Sequence, residues 1–317
     1  MNQFERNYEK ALKWVHQNTI DGNGITLSRY KHVIYPEVTG YFIPTLLDCG
    51  EDELARSYAK YLISIQKPDG SWYDSDDKAP YVFDSAQILK GLMAIHKMMP
   101  GVEKAIIRGV DWVLSNMQDN GRLTTPCKDA WGNDEHFCSE IIHMYCLSPI
   151  RDAGEAFGIQ QYIDSAERIM DYYLNMDRDK ILNFDLLSHF HAYVMEALFD
   201  MGRIELCEEA MVRFASHCNA KGAILGRRNL PWVCSTGCFQ AALVWYKLGK
   251  KPEGDKQFEY ACKLQNQSGG WYGSYPSNRI LNHFYPDRKR PGYFGADEIS
   301  WAVKYFLDAY HCRIKWE

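Results

Sequence analysis

Apolar residues recur along the chain in two alternating textures. In residues 6–18, Tyr8, Leu12 and Val15 fall at three- and four-residue steps with charges between them, the pattern of a helix with one buried face. The stretch Tyr35-Pro-Glu-Val-Thr-Gly-Tyr-Phe-Ile-Pro-Thr-Leu-Leu47 has few charges, as in a helix buried on most sides. The amphipathic texture returns at 52–66, 102–117, 159–175, 204–217 and 254–266, and the apolar one at 83–99, 137–148, 186–201, 234–248 and 297–311. The pattern predicts twelve helices in six pairs.

Outer-type helices start roughly every 45 to 55 residues, the period of an architecture in which each pair buries its face against its neighbours. Six such pairs can close a ring with the apolar helices inside, so the expected fold is all-α, an (α/α)6 toroid occupying residues 1–317 as a single domain. An open solenoid needs polar capping repeats, whereas the last predicted helix carries Ile299, Trp301, Val303, Phe306 and Leu307. The connections from apolar to amphipathic helices are short (Asp48-Cys-Gly50, Met201-Gly202, Gly249-Lys-Lys-Pro252). The opposite connections are long and rich in aromatic and charged residues. Function is therefore expected at that rim, around the amino-terminal ends of the inner helices.

The apolar content of 46 % in 317 residues supports a substantial core. A net charge of −5 argues against a nucleic-acid partner. No apolar run approaches the ~18 residues of a membrane span, and the chain opens on a charged amphipathic helix, so a cytoplasmic protein is expected. Its ten cysteines lack a short-spaced framework, which suits reduced thiols in a cytosol.

From Gln66 to Leu92 the chain reads as a helix end, a turn on Pro68 and Gly70, an acidic loop and a second helix opening near Asp84. Gln66-x-x-x-Gly70-x-Trp72 recurs as Gln265-x-x-x-Gly269-x-Trp271, and Gln118-Asp-Asn-Gly121 is a degenerate copy. These segments resemble the QW repeat of the α/α-toroid superfamily that includes terpenoid cyclases and protein prenyltransferases. Tyr35-Pro-Glu-Val-Thr-Gly-Tyr41 and Glu298-Ile-Ser-Trp-Ala-Val-Lys-Tyr-Phe-Leu-Asp308 also look like segments of toroid proteins associated with bacterial surface-polysaccharide synthesis. Toroids of this design include uronate-acting hydrolases, lyases and epimerases. Phe83-Asp84-Ser-Ala is similar to the inner-helix start that holds a catalytic Asp in the glycuronyl hydrolases.

Asp74-Ser-Asp76-Asp77 matches the DxDD pattern of class II terpenoid cyclases, whose acid needs a dry cavity that raises its pKa. Here it reads as a hydrated loop. His136, Glu140 and His143 are spaced i, i+4, i+7, one stripe of an inner helix, and suit acid–base work more than metal binding. His189 and His191 point roughly 200° apart on a helix, so at most one faces the cavity. Cys234 and Cys238 read as buried thiols. Carboxylates Glu37, Asp84 and Glu298 fall at equivalent inner-helix starts, where they meet helix dipoles or a ligand.

The expected catalytic residues are Asp84, Glu140, His143 and His189. The expected substrate-binding residues are Glu37, Tyr41, Trp72, Tyr81, Trp131, His136, Arg227, Arg228, Trp232, Tyr275 and Glu298, with aromatics stacking on sugar rings and arginines meeting negative charge. No cofactor is required by this reading, although a divalent metal is compatible with it. The expected function is acid–base chemistry on an anionic or uronate-containing small molecule or oligosaccharide, by hydrolysis, elimination or epimerisation. The alternatives are an isoprenoid enzyme using Asp76 as its acid and a non-catalytic polysaccharide-binding toroid.

Overall fold

A computed structural model describes residues 2–126, 140–184, 186–219, 221–228, 230–277 and 292–316. Its helices are α1 (Gln3–Gln17), α2 (Pro36–Asp48), α3 (Asp52–Ile65), α4 (Val82–Ile95), α5 (Val102–Ser115), α6 (Leu147–Phe157), α7 (Gln160–Met176), α8 (Arg178–Leu182), α9 (Ser188–Asp200), α10 (Ile204–Ala215), α11 (Ser235–Lys247), α12 (Lys251–Cys262) and α13 (Ser300–Ile314). Two small antiparallel ribbons pair β1 (Thr19–Ile20) with β2 (Gly24–Ile25) and β3 (Trp232–Cys234) with β4 (Ser274–Pro276). Helices α2, α4, α9, α11 and α13 are buried along most of their length, whereas α1, α3, α5, α7, α10 and α12 bury one face.

The third inner helix departs from expectation. Residues Glu140–Cys146 form a 3-10 segment, and the α-helix starts only at Leu147. Pro149 explains the boundary: continued α-helix would leave its missing N–H opposite the Tyr145 carbonyl and drive its ring into that oxygen, whereas proline is tolerated in a first turn. Pro252, near the start of α12, likewise begins that helix earlier than the 254 expected.

The chain divides into two compact units. In the first, Thr19–Ile25 and Val33–Arg178, the inner helices α2, α4 and α6 pack in sequence, and α3, α5 and α7 each return against the inner helix before them. Here α2 and α4 touch backbone to backbone. A Cβ on Gly40 would lie closer than 3.0 Å to the Ile88 backbone, and one on Gly91 would come equally close to the Gly40 carbonyl oxygen. Pro44 leaves that carbonyl without its helical N–H donor, and the bare Gly91 lets α4 cover it.

The second unit comprises Met1–Asn18, Thr26–His32 and Asp179–Glu317. Its inner helices α9, α11 and α13 pack side by side, with α10 behind α9 and α12 behind α11. The outer partner of α13 is α1, so the last helix of the chain packs on the first.

One turn recurs at the ends of four outer helices. After α3, Lys67 N–H meets Ser71 O and Gly70 N–H meets Lys67 O. The same pair of bonds closes Gln118–Arg122, Asn219–Ala223 and Asn266–Gly270. Each turn's glycine has φ between +87° and +103°, and a Cβ there would lie closer than 3.0 Å to a carbonyl oxygen of the following outer helix: Arg108, Arg168, Lys256 and Lys10 respectively. Gln66 Nε2 adds bonds to Gly70 O (3.0 Å) and Ala105 O (2.9 Å), and Gln265 Nε2 repeats them on Gly269 O and Asn7 O (both 2.9 Å). Trp72 and Trp271 are buried beneath, with their indole N–H groups on Leu62 O and Ala261 O. A glutamine that bonds its own turn and the next helix at once fixes the spacing between the two.

Gly70→Ala and Gly269→Ala are therefore expected to lower unfolding free energy by about 3 kcal/mol or more each, from positive φ plus overpacking against backbone. Gly101 has φ +89° but nothing within 4 Å of a Cβ, and its alanine variant should cost only about 1 kcal/mol. Urea midpoints of the three variants measure the difference; equal losses would show that close approach contributes nothing.

Candidate functional site

In the second unit, residues at the second and sixth positions of α9, α11 and α13, counted from their N-caps Leu187, Cys234 and Ile299, are His189 and Tyr193, Thr236 and Gln240, and Trp301 and Tyr305. A four-residue step keeps each pair on one helix face, and these faces converge. His189 Nδ1 lies 2.6 Å from Gln240 Oε1, and Tyr193 Oη lies 3.2 Å from His189 Nε2. The imidazole runs nearly parallel to Trp301, with centroids 6.4 Å apart, and meets Tyr305 edge-on at 6.2 Å. Phe190 and Tyr293 stand at 5.2 and 6.0 Å. Burial pushes the His189 pKa down to about 3, opposed by the Gln240 bond and reinforced by the Lys304 charge. His189 is therefore a neutral imidazole, with one nitrogen protonated and the other carrying a lone pair. Lys304, itself buried, sits 2.7 Å from Asp308 and 3.9 Å over the Tyr305 ring. His191, two residues along α9, faces the wall, with Nε2 3.2 Å from Ile181 O and rings of Phe184 and Phe214 beside it.

In the first unit the same positions of α2 and α4 hold Glu37 and Tyr41, and Phe83 and Gln87, all buried. Asp84 occupies the third position of α4, and the fields of Asp84 and Lys90 both reach the Cys146 thiol. Lys90 Nζ lies 3.3 Å over the Tyr145 ring, which stacks on Phe83 at 6.2 Å. The three carboxylates thus do not share one register: Glu37 is second in its helix, Asp84 third, and Glu298 precedes an N-cap. Glutamate, phenylalanine, histidine, threonine and tryptophan occupy the position they were expected to share.

Several expected site residues are engaged by partners within the fold. Glu140 accepts a fork from Arg122 at 2.8 and 2.6 Å, with Tyr173 Oη at 3.3 Å. His143 is fully buried, its Nδ1 2.8 Å from Leu123 O, and burial lowers its pKa to about 4. They neighbour each other because residues three apart eclipse in a 3-10 segment, not through the α-helical stripe expected. Glu298 takes hydrogen bonds from Trp14 Nε1 and Asn266 Nδ2, both at 2.8 Å, and from Ser268, with Arg29 at 3.6 Å. It ties α1 to the turn after α12. Trp72 is wholly enclosed and offers no face for stacking.

Trp232 and Tyr275 lie on the paired strands β3 and β4, Trp232 covering Gly226 and Tyr275 Oη receiving Tyr272 N–H at 2.9 Å. Tyr81, the N-cap of α4, and Arg227 are half-buried, and Arg228 is exposed 3.4 Å from His217 Nε2. Trp131 and His136 lie outside the described residues, as does Arg288-Lys289-Arg290. Asp76 is 44 % exposed and paired with Lys78 at 3.1 Å, a hydrated carboxylate where a cyclase acid needs a dry one. Among the described residues no group of three or more His, Cys, Asp or Glu side chains is placed to hold a metal ion. Likewise no helix is long and apolar enough to cross a membrane. Tyr193, Gln240, Lys304 and Tyr305 were not singled out from the sequence. Counting four residues on from the inner-helix polar position His189, and from Trp301, finds the two tyrosines.

No protein-family model matches the sequence, and no curated protein matches it. Solved structures do. A novel alpha-amylase from Clostridium perfringens aligns with TM-score 0.73 at 12 % identity over 97 % of both chains. An unsaturated glucuronyl hydrolase from Bacillus sp. GL1, responsible for the degradation of glycosaminoglycan, aligns with TM-score 0.72 at 12 % identity over 97 % of this chain and 96 % of its own. A type II terpene cyclase from Scytonema aligns with TM-score 0.63 at 13 % identity over 98 % of each. The chain has the all-α toroid fold these proteins share.

The buried histidines make stability pH-dependent. Burial lowers His143 and His191 to about 4 and His189 to about 3, below the ordinary 6.5. As pH falls below about 6.5 the unfolded chain takes up protons that the native chain refuses, so the stabilisation is complete above that pH and is lost toward pH 4. The expected loss is roughly 2 kcal/mol per histidine between pH 6.5 and 5. Urea midpoints across that range measure it, and His191→Gln should flatten the dependence; a flat wild-type profile would contradict the burial of these rings.

Proposed function

We propose that the protein is a cytoplasmic carbohydrate-active enzyme that acts by acid–base chemistry on an anionic, uronate-containing sugar or polysaccharide precursor. The observation that carries this reading is the Tyr193–His189–Gln240 chain, set among Phe190, Tyr293, Trp301 and Tyr305 with Lys304 close by. Two of the similar structures, the amylase and the glucuronyl hydrolase, are carbohydrate enzymes by name, and the resemblance of two segments to surface-polysaccharide toroid proteins favours a polysaccharide or its precursor. The free thiols among the described cysteines suit a reducing compartment.

The chemistry follows from protonation. His189 Nε2 is the lone-pair nitrogen and Tyr193 O–H points to it, so transfer of the phenolic proton leaves a phenolate able to take a proton from substrate or water. When the re-formed phenol then protonates a leaving oxygen, the imidazolium passes its proton to the phenolate so produced, and both residues end as they began. Hydrolysis, elimination and epimerisation all use such a donor and acceptor. Aromatic faces bind sugar rings, and Lys304 supplies positive charge toward a carboxylate. Glu140 and Glu298, both engaged in structural hydrogen bonds, stay out of the chemistry. The cyclase reading loses its acid at the exposed Asp76.

Thermal shift against uronic acids, acidic oligosaccharides, nucleotide sugars and prenyl diphosphates, each with and without divalent metal, finds the ligand. Turnover of the positive compounds then tests the roles. Tyr193→Phe and His189→Gln are each expected to lower kcat by about 10²–10⁴-fold, while Glu298→Gln lowers the melting temperature and leaves kcat within about threefold. Asp84→Asn is measured beside them, and full activity in that variant would restrict the chemistry to the His189 cluster. A shift with prenyl diphosphates alone would overturn the carbohydrate reading. Binding of acidic sugars without turnover would make the protein a polysaccharide-binding toroid.

A further inference from the structure

Only one end of the Gln240 amide is used. Its Oε1 faces His189 Nδ1 at 2.6 Å, while its Nε2 is buried and makes no hydrogen bond. An amide oxygen accepts and cannot donate, so with Oε1 toward the ring Nδ1 carries the imidazole proton and Nε2 of the ring is the lone-pair nitrogen that meets Tyr193. A buried donor without an acceptor is costly and rare in native proteins, and this one lies in the same cluster as the imidazole. The sixth position of α4 is the counterpart in the first unit: Gln87 Nε2 is turned back to Phe83 O at 3.4 Å and its Oε1 is the end left over. The two glutamines therefore leave opposite groups open, an acceptor at Gln87 and a donor at Gln240.

We infer that Gln240 is a positioning residue with two roles: its oxygen locks His189 in the Nδ1–H tautomer, and its NH2 group donates to a carboxylate or hydroxyl oxygen of the sugar bound beside that imidazole. The second role rests on the proposed carbohydrate site, whereas the first does not. Other groups facing His189 do not set the tautomer. Tyr193 and the backbone N–H of His189 on Cys234 leave Nδ1 untouched, and Lys304, Tyr293 and Tyr305 approach as charge or ring faces.

The test uses full-length protein labelled with ¹⁵N at histidine and glutamine side chains, with His189 signals assigned from His189→Gln. Long-range ¹H–¹⁵N spectra of the ligand-free wild type should show the Nδ1–H tautomer. Gln240→Met, similar in volume, should convert a large share to Nε2–H. Gln240→Glu keeps an acceptor and adds charge, so it should retain the tautomer while raising the His189 titration midpoint by about one pH unit or more, tenfold in acidity. A purely structural glutamine would change melting temperature in both variants and leave the Nδ1–H tautomer in place in Gln240→Met, and that result would overturn the first role. For the second, D-glucuronate is titrated while the Gln240 NH2 signals are followed. A downfield shift that saturates, with at least tenfold weaker binding in Gln240→Met, supports the donor role; NH2 signals that stay fixed overturn it. The tautomer result stands apart from turnover, so failure of the enzyme assignment and failure of this inference are separable.

Discussion

The structure depends on backbone meeting backbone at glycine. Four outer-helix turns rest on the next outer helix at distances where any side chain would collide with a carbonyl oxygen, and α2 rests on α4 in the same way through Gly40 and Gly91. Such contacts allow little adjustment, because peptide groups cannot change rotamer to relieve a clash. The spacing of the helices so joined is thereby held within narrow limits. The inner helices α9, α11 and α13 pack side by side with their second and sixth positions facing one another, which brings His189, Tyr193, Gln240 and Tyr305 together from three helices.

The fold was largely legible because helix burial leaves a direct trace. A helix surrounded by protein must be apolar all round and one at the surface must not, and twelve alternating stretches carried that contrast. The boundary errors have local causes: Pro149 and Pro252 fix helix starts that apolar content alone misplaced. The fourth turn, at Asn219–Gly222, was missed because it lacks both the glutamine and the tryptophan, although its glycine makes the same approach.

The site was less legible, for a reason of register. Carboxylates near inner-helix starts look equivalent in a sequence aligned by eye, but one residue of offset turns a side chain by roughly 100° on a helix. That offset separates Glu37 from Asp84, and Glu298 precedes its helix altogether and is spent on Trp14, Asn266 and Ser268. Trp72 and Glu140 show the second difficulty. Tryptophan in a rim loop and glutamate near the start of an inner helix suggest a ligand, yet a helix junction needs a large wedge and Arg122 needs a fork partner. Composition does not distinguish those uses. His189 was found because a histidine is rare in an apolar helix, while Tyr193 and Gln240 gain meaning only from the ring they bracket.

The low pKa of His189 and the proposed anionic substrate bear on each other. In the free protein the imidazole is enclosed by aromatic rings and stands near the Lys304 charge, both of which oppose protonation. A carboxylate arriving beside it would oppose that electrostatic part and favour imidazolium. By linkage, a ligand that raises the affinity of His189 for a proton is itself bound more tightly when that proton is present. On the proposed reading, the anion held there would therefore strengthen the base proposed to act on it. In the proposed reaction an empty site keeps its histidine neutral, and an occupied one would hold the proton being transferred. A neutral sugar would leave His189 as weak a base as in the free protein, so discrimination for anionic substrates would appear in kcat as well as in binding, through one buried ring and the charge brought next to it.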